Sequence, residues 1–312
     1  MRRRVPSRYA VAPIPRKHTM IVIAGRPQGF ISRSIASVLY ALPGRKRFVS
    51  ARPFSEPLAD EDIESLHVRA TGARDTARAL EDARSLVLLG SLNRDQTELQ
   101  LALIRDARAA GVEKLVFISL IGASAQSPVE VLRRLGQLER AVQASGVPFV
   151  ILRCAPYMQS LRLFMQIEGL SLALAGPFHN ARFAWIDARD VADVVALLLQ
   201  GPLDNSVKQL CGPEQLDFDG IASILCDCTQ RDCTFNDLST PQAQGLLEGA
   251  GFSTAYARAL LEYWDYIVSG AVGTTPCDTA PKILGRPLRT LAECAPTFVP
   301  QRDAPKVATA AS

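Results

Sequence analysis

The chain has 312 residues, 48% hydrophobic and 21% charged, a globular composition long enough for one large domain or two smaller ones. That balance excludes wholesale disorder, and a formal net charge of +4 is too small to point to nucleic acid or an anionic membrane surface. No apolar run reaches the roughly 20 residues of a membrane span, and the N-terminus lacks the apolar core of a signal peptide, so a cytoplasmic protein is expected. Seven cysteines, an odd number, fit reduced thiols. The Cys226-x-Cys228-x4-Cys233 spacing matches no common zinc pattern, so no metal site is expected.

Taken in chain order, residues 1–19 form a basic arm with three prolines and no hydrophobic periodicity, which reads as flexible, with Met20 a candidate start. Strand-length apolar runs follow at Met20–Ala24, Phe48–Ala51, Ser85–Leu89, Lys114–Ser119 and Phe149–Arg153. Amphipathic stretches of helix length lie between them: Ile31–Leu42, Asp75–Glu81, Asp95–Ala110 and Val129–Ser145. Repeated strand–helix alternation with continuous apolar strands predicts an α/β fold, a doubly wound parallel sheet over residues 20–153.

Beyond residue 154 the regularity loosens. Helices are expected at Tyr157–Ile167, Arg189–Leu199, Asp217–Cys226, Pro241–Leu247 and Thr254–Val268, forming a smaller, mostly helical C-terminal lobe over residues 154–298, with a disordered tail over 299–312. Asp187 is placed to cap one of these helices, and Ser239-x-x-Gln242 with Pro241 in the first turn reads as a capping box.

The first strand runs into Ala24-Gly25-Arg26-Pro27-Gln28-Gly29-Phe30-Ile31-Ser32 and then a helix. A Gly-rich turn at that point lets backbone N–H groups approach a pyrophosphate at the helix N-terminus, which makes Gly25, Arg26, Gln28, Gly29 and Phe30 candidate cofactor contacts. The turn lacks the third glycine of the full fingerprint, and a tight turn without a ligand is the alternative. The second strand ends on Arg52 rather than on Asp or Glu. An acid there selects the free 2′-hydroxyl of NAD and an arginine accepts a 2′-phosphate, so a bound dinucleotide is expected to be NADP(H). Gly90 and Ser91 follow the Ser85–Leu89 strand, where ligands of open sheets sit beyond the carboxyl ends.

Several short segments in a fixed order carry a family resemblance. They include the Gly turn after Ile21–Ala24, Ala109-Ala110-Gly111-Val112 leading into Leu115–Ser119, and Ser119-Leu120-Ile121-Gly122-Ala123. Leu138-Glu139-Arg140-Ala141, Ser145-Gly146-Val147-Pro148, Ile151-Leu152-Arg153 and Ala155-Pro156-Tyr157-Met158 continue the series. Asp187-Ala188-Arg189-Asp190-Val191-Ala192, Leu210-Cys211-Gly212-Pro213-Glu214 and Leu284-Gly285-Arg286-Pro287 complete it. Over roughly residues 20–295 the chain resembles the NmrA-like branch of the atypical short-chain dehydrogenase/reductase superfamily. The resemblance implies a Rossmann fold that binds NADP(H) or NAD(H), serving either reduction of a small molecule or redox sensing.

Departures from the family pattern bear on the chemistry. The Gly turn is altered, Ala70-Thr71-Gly72 stands where relatives commonly have Gly-Asp-Leu, and Leu135 stands where Lys or His is frequent. No Tyr-x-x-x-Lys dyad is present, although carbonyl reduction needs a proton for the nascent alkoxide. Ser119 is a candidate for orienting a carbonyl. Tyr157 is the best-placed remaining phenol, either as proton donor or as an aromatic packed under the second lobe. Met158, Trp185 and His179 are candidate substrate contacts, with Tyr263 and Trp264 as further aromatic wall or core, and Arg153 reads as one half of an ion pair with Asp187 as the candidate partner. With no Gly-x-Ser-x-Gly elbow, a Ser-His-Asp hydrolase is not supported. Two function classes stay open: an enzyme acting on a small organic molecule, by NADP(H)-dependent reduction or by non-redox chemistry in the same cleft, and a non-catalytic NAD(P)-sensing regulator or structural subunit that binds protein partners.

Overall fold

The computed structural model describes residues 20–25, 30–54, 63–68, 73–169, 171–297 and 299. The basic arm and all but one residue of the expected tail fall outside that set, as do Arg26, Gln28 and Gly29 of the Gly turn.

The chain alternates strand and helix as β1 (Met20–Ala24), α1 (Phe30–Tyr40), β2 (Arg45–Ser50), β3 (Ile63–His67), α2 (Ala73–Ala79), β4 (Ala83–Leu89), α3 (Arg94–Ala107), β5 (Lys114–Leu120), α4 (Glu130–Ala144) and β6 (Phe149–Cys154). A 3-10 helix (Met158–Phe164) then leads into β7 (Met165–Glu168), β8 (Ser171–Gly176), β9 (Phe183–Ala184), α5 (Ala188–Gln200), β10 (Ser206–Leu210) and β11 (Gln215–Leu216). The rest is α6 (Phe218–Thr229), β12 (Asp232–Asp237), α7 (Thr240–Gly249), α8 (Thr254–Val268), α9 (Thr279–Leu284) and α10 (Leu291–Cys294).

Seven parallel strands form one sheet in the order β10-β6-β5-β4-β1-β2-β3. β1, β4, β5 and β6 are buried along almost their whole length, as strands covered on both faces must be. One face carries α2, α3 and α4, the other α1, α5 and α9, each over its own apolar layer. The chain builds outward from β1 to β3, then returns to the other side of β1 to place β4, β5, β6 and β10. That reversal opens a crevice at the carboxyl ends of β1 and β4, the place where open α/β sheets bind ligands.

The expected division at residue 154 is interleaved, because α5 and β10 return to the sheet after the chain has begun the second lobe. Asp190 and Asp193 on α5 hold Arg286 and Arg289, tying the C-terminal segment back to the sheet domain; Asp190 is fully buried. The second lobe contains α6, α7, α8 and α10 and a three-stranded sheet, β12-β8-β7. A single helix was expected over Tyr157–Ile167; the chain makes a 3-10 helix to Phe164 and then turns extended. In Met165-Gln166-Ile167-Glu168 exposure alternates residue by residue, a period-two strand pattern. Asp187 caps α5 by accepting the Arg189 amide, and Ser239 with Gln242 closes the capping box of α7, as expected. No described helix is long and apolar enough to cross a membrane.

Candidate active site

The carboxyl ends of β4, β5 and β6 open into a cavity of about 160 Å³ roofed by α8. Gly90 continues β4, and its amide donates to the Ile118 carbonyl at 2.8 Å. A Cβ on Gly90 would lie 2.7 Å from that carbonyl oxygen, so only glycine lets the two strand ends approach this closely. Beyond it the Ser91 hydroxyl accepts from the Asn93 amide at 3.1 Å, and Arg134 on α4 donates to the Leu92 carbonyl at 2.6 Å, fixing the turn that forms one rim. Along β5, Ile118 and Leu120 face the cavity. The chain leaving β6 is pinned by a bridge between Tyr157 and Ile186, with the Met158 amide on the Ile186 carbonyl at 3.0 Å. This sets Tyr157 into the wall. Tyr256, Leu260, Tyr263 and Trp264 close the other side, the spacing of one face of a helix.

Among the described residues no charged side chain lines this cavity. Its polar groups are serine and tyrosine hydroxyls, the Asn93 amide and the Trp264 indole N–H in an apolar frame. Burial holds the Tyr157 phenol well above its usual value near 10, and its hydrogen bond to the Cys154 thiol acts in the same direction. Burial also pushes the Cys154 thiol, at the end of β6, up to about 12. Tyr263 is raised by burial as well. All three stay protonated at neutral pH. The Tyr263 hydroxyl and the Trp264 indole N–H are buried without a hydrogen-bond partner. Native proteins seldom leave such donors unsatisfied, since each costs about 1–3 kcal/mol. Both residues line the cavity.

Ser119 lies elsewhere. Side chains alternate along a strand, so the residue between Ile118 and Leu120 points to the opposite face. There the fully buried Ser119 hydroxyl donates to Glu139 Oε1 at 2.7 Å. Glu139, on α4, also receives Arg153 from β6, Nε at 3.1 Å and Nη2 at 2.6 Å. Arg153 therefore pairs with Glu139 rather than Asp187, whose carboxylate is taken by Arg189 and by Gln159 at 2.8 Å. Glu139 was missed from the sequence, although an acid among Leu135, Leu138 and Val142 on a buried helix face signals a buried partner.

At the crevice between β1 and β4, Gly25 carries the end of β1; a Cβ there would sit 2.8 Å from Leu89 Cδ1. Gln100 on α3 is fully buried and donates to the carbonyls of Ala24 at 3.1 Å and Leu89 at 2.8 Å, clamping the two strand ends together. Its Oε1 has no partner, and neither does Nε2 of Gln96 one turn earlier, whose Oε1 accepts from the Ala51 amide. These orphaned amide atoms beneath the crevice, with the side-chain-free ends of β1 and β4, fit a polar ligand laid across the strands. Arg52 stands at the end of β2, half exposed, with Nε on Asp95 Oδ2 at 2.7 Å.

Of the candidate residues, Gly90, Ser91 and Tyr157 meet on the cavity, while Gly25 and Arg52 lie at the ends of β1 and β2 and Phe30 opens α1. Met158 and Trp185 are fully buried and do not line the cavity. Trp185 belongs to an aromatic core with Phe178, Phe183, Phe218 and Trp264, where Phe178 and Phe218 stack at 3.8 Å. His179 sits on an exposed turn, its Nδ1 2.6 Å from Asp237 Oδ2, outside the cavity lining.

The NmrA-like family model matches residues 21–247. The NAD(P)H azoreductase of Xenophilus azovorans is 30% identical over 259 residues, covering 78% of this chain and 88% of that protein. The (4-alkanoyl-5-oxo-2,5-dihydrofuran-3-yl)methyl phosphate reductase of Streptomyces griseus is 28% identical, covering 90% and 100%. Among solved structures, Citrobacter sp. triphenylmethane reductase complexed with NADP(H) superposes with a TM-score of 0.72 at 19% identity, covering 90% of this chain and all of that one. The Escherichia coli NADPH-dependent quinone oxidoreductase complexed with NADPH gives 0.70 at 20% identity, covering 88% and 98%. At these identities the structural matches establish the fold.

Proposed function

The chain belongs to the NmrA-like family, and on that premise we propose that it is an NADP(H)-dependent reductase of a small, planar, unsaturated molecule. The observation that carries this reading is the apolar cavity at the strand ends, where Tyr263 and Trp264 hold buried donors without a partner beside the Tyr157 phenol and, among the described residues, no charged group competes. The names of the relatives, reductases of azo compounds, quinones and a phosphorylated furanone, support the same class.

NADPH supplies the hydride when bound. The ends of β1 and β4 would hold it above the orphaned amide atoms of Gln96 and Gln100, and Arg52, at the end of β2, would take the 2′-phosphate in place of Asp95. Ser91 and Asn93 form the polar rim between that crevice and the cavity. Tyr157 holds a proton at its phenolic oxygen and gives it to the substrate heteroatom on which negative charge develops. Burial keeps this phenol protonated at neutral pH, so the proton is in place when charge develops beside it, although burial also makes the phenol a weaker acid. Tyr263 donates a hydrogen bond to the same or a neighbouring acceptor, and the apolar walls exclude water.

The test is NADPH oxidation by purified protein with 1,4-naphthoquinone and a neutral azo dye as acceptors, beside calorimetric titration of NADPH. Turnover of either acceptor is expected. Absence of both NADPH binding and turnover would place the chain with a non-catalytic role instead.

A further inference from the structure

A second, wider depression of about 700 Å³ lies beside the cavity. The two share Leu163, and the wall between them is completed by Phe252, which lines the outer groove and stacks at 5.3 Å on Tyr256 of the inner cavity. The groove carries Arg33 from α1 and Arg162 from the 3-10 helix, segments that pack against each other. Among the described residues no carboxylate lines it.

Many arginines elsewhere in this chain are matched by acids, among them Arg47 with Glu64, Arg84 with Glu113, Arg94 with Glu130 and Arg153 with Glu139, while Arg74, Arg78, Arg108 and Arg140 are exposed without an ion pair among the described residues. Among the described residues Arg33 and Arg162 have neither an ion pair nor a hydrogen bond, and both are exposed. Two cations on one concave surface repel each other and concentrate anions there. The end of α7 faces the same groove, yet its carbonyls at Leu246, Leu247 and Glu248 accept from the amides of Ala250, Phe252 and Gly251, so they do not capture the guanidinium groups.

Resting on the reductase reading, we propose that the substrate is a planar aromatic anion. Its reducible, acceptor-bearing ring enters the cavity of Tyr157, Tyr263 and Trp264, and its sulfonate, carboxylate or phosphate is held outside by Arg33 and Arg162. An inner space of about 160 Å³ has the scale of a single aromatic ring, an engineered cavity of ~150 Å³ being known to take benzene. A larger substrate therefore extends past Leu163 into the groove, where its charge meets the two guanidinium forks.

The experiment compares naphthalene-2-sulfonate with its neutral isostere naphthalene-2-sulfonamide by calorimetry, on the wild-type chain and on Arg33→Gln/Arg162→Gln. The wild type is expected to bind the sulfonate at least about tenfold more tightly, the scale of one charged hydrogen bond. The double variant should lose that preference while keeping its affinity for the sulfonamide and for NADPH. Equal affinity of the two probes for the wild type, or a preference that survives the double substitution, overturns the proposal. So does a parallel loss of NADPH affinity, which would assign the arginines to the cofactor. Turnover is read separately with 1,2-naphthoquinone and its 4-sulfonate: if neither oxidises NADPH but the binding preference is present and removable, the reductase reading fails and the anion subsite stands.

Discussion

The two faces of the β5–β6 edge carry buried polar groups of opposite kinds. On one face Ser119, Glu139 and Arg153 form a closed set in which the carboxylate accepts both the hydroxyl and the guanidinium. On the other, Tyr157, Tyr263 and Trp264 surround a cavity, and two of their donors have no acceptor in the protein. A satisfied buried network needs nothing further and reads as structure; buried donors left open beside a cavity are what a ligand completes. Two neighbouring residues, Ser119 and Leu120, thus belong to different machinery because a strand points them to different sides.

The contrast is broken most severely at Tyr157. Tyr157→Phe removes one hydroxyl and should preserve the fold while lowering kcat/KM by ~10²–10⁴ in steady-state quinone or azo reduction. Because burial holds this phenol above its usual value near 10, it stays protonated below that pH, and its ionisation should produce no alkaline fall in kcat/KM below about pH 10. The same shift acts on stability. The folded state keeps the phenolic proton where the unfolded chain releases it, so the contribution is complete below about pH 10 and is lost as pH rises further. Unchanged turnover in the phenylalanine variant would move the proton donor to another group or to water.

On the closed face the expected loss is in stability alone. Glu139→Ala strands a partly buried Arg153 and leaves the Ser119 hydroxyl without its acceptor, an expected loss of about 2–4 kcal/mol in urea unfolding, below the full value for a wholly buried pair because Arg153 reaches solvent. Ser119→Ala should cost about 1 kcal/mol. In both, kcat/KM per folded molecule should hold; a selective loss of turnover in Ser119→Ala would return that hydroxyl to the chemistry.

How much of this the sequence disclosed depends on how each element is buried. β1 runs over Met20–Ala24 as expected, and β4, β5 and β6 lie within two residues of their expected bounds, because strands covered on both faces are continuous apolar runs. β7 and β12 went unread: MQIE and DCTFND are half-exposed edge segments with weak alternation, and the first continues an apolar stretch that also suits a helix. Tyr157 and Gly90 were legible because they follow strand ends. Which side Ser119 faces was settled by strand register, and its partner Glu139 lies 20 residues away on α4. Tyr256 and the open donor on Tyr263 depend on where α8 docks, which no local pattern encodes.

Tyr263→Phe sharpens the comparison with a smaller effect and opposite signs. It deletes a buried hydroxyl that has no partner, so unfolding free energy should stay level or rise by about 1 kcal/mol, while kcat/KM falls by about tenfold through KM and kcat together. A hydroxyl belonging to the closed kind of network would lose stability on removal. Loss of stability with full activity would therefore place Tyr263 beside Ser119 rather than beside Tyr157.

The smallest expected effect, that of Asp95→Asn, lies at the far end of the crevice. Arg52 and Asp95 form an ion pair at 2.7 Å with 55% and 40% of their side chains exposed, a setting in which such pairs contribute about 0–1 kcal/mol. The pair is weak enough to open for a 2′-phosphate, yet Asp95 would remain beside the incoming dianion and repel it. Asp95→Asn removes that repulsion and should tighten NADPH about threefold without changing NADH, a difference on the scale of one screened surface charge. Arg52→Ala should act in reverse, weakening NADPH relative to NADH by about 1–3 kcal/mol at low salt and by less as ionic strength rises. Calorimetry with both cofactors on both variants decides the matter: if Asp95→Asn leaves the NADPH-to-NADH ratio where it was, Arg52 does not read the phosphate, and selection between the cofactors rests on groups outside this pair.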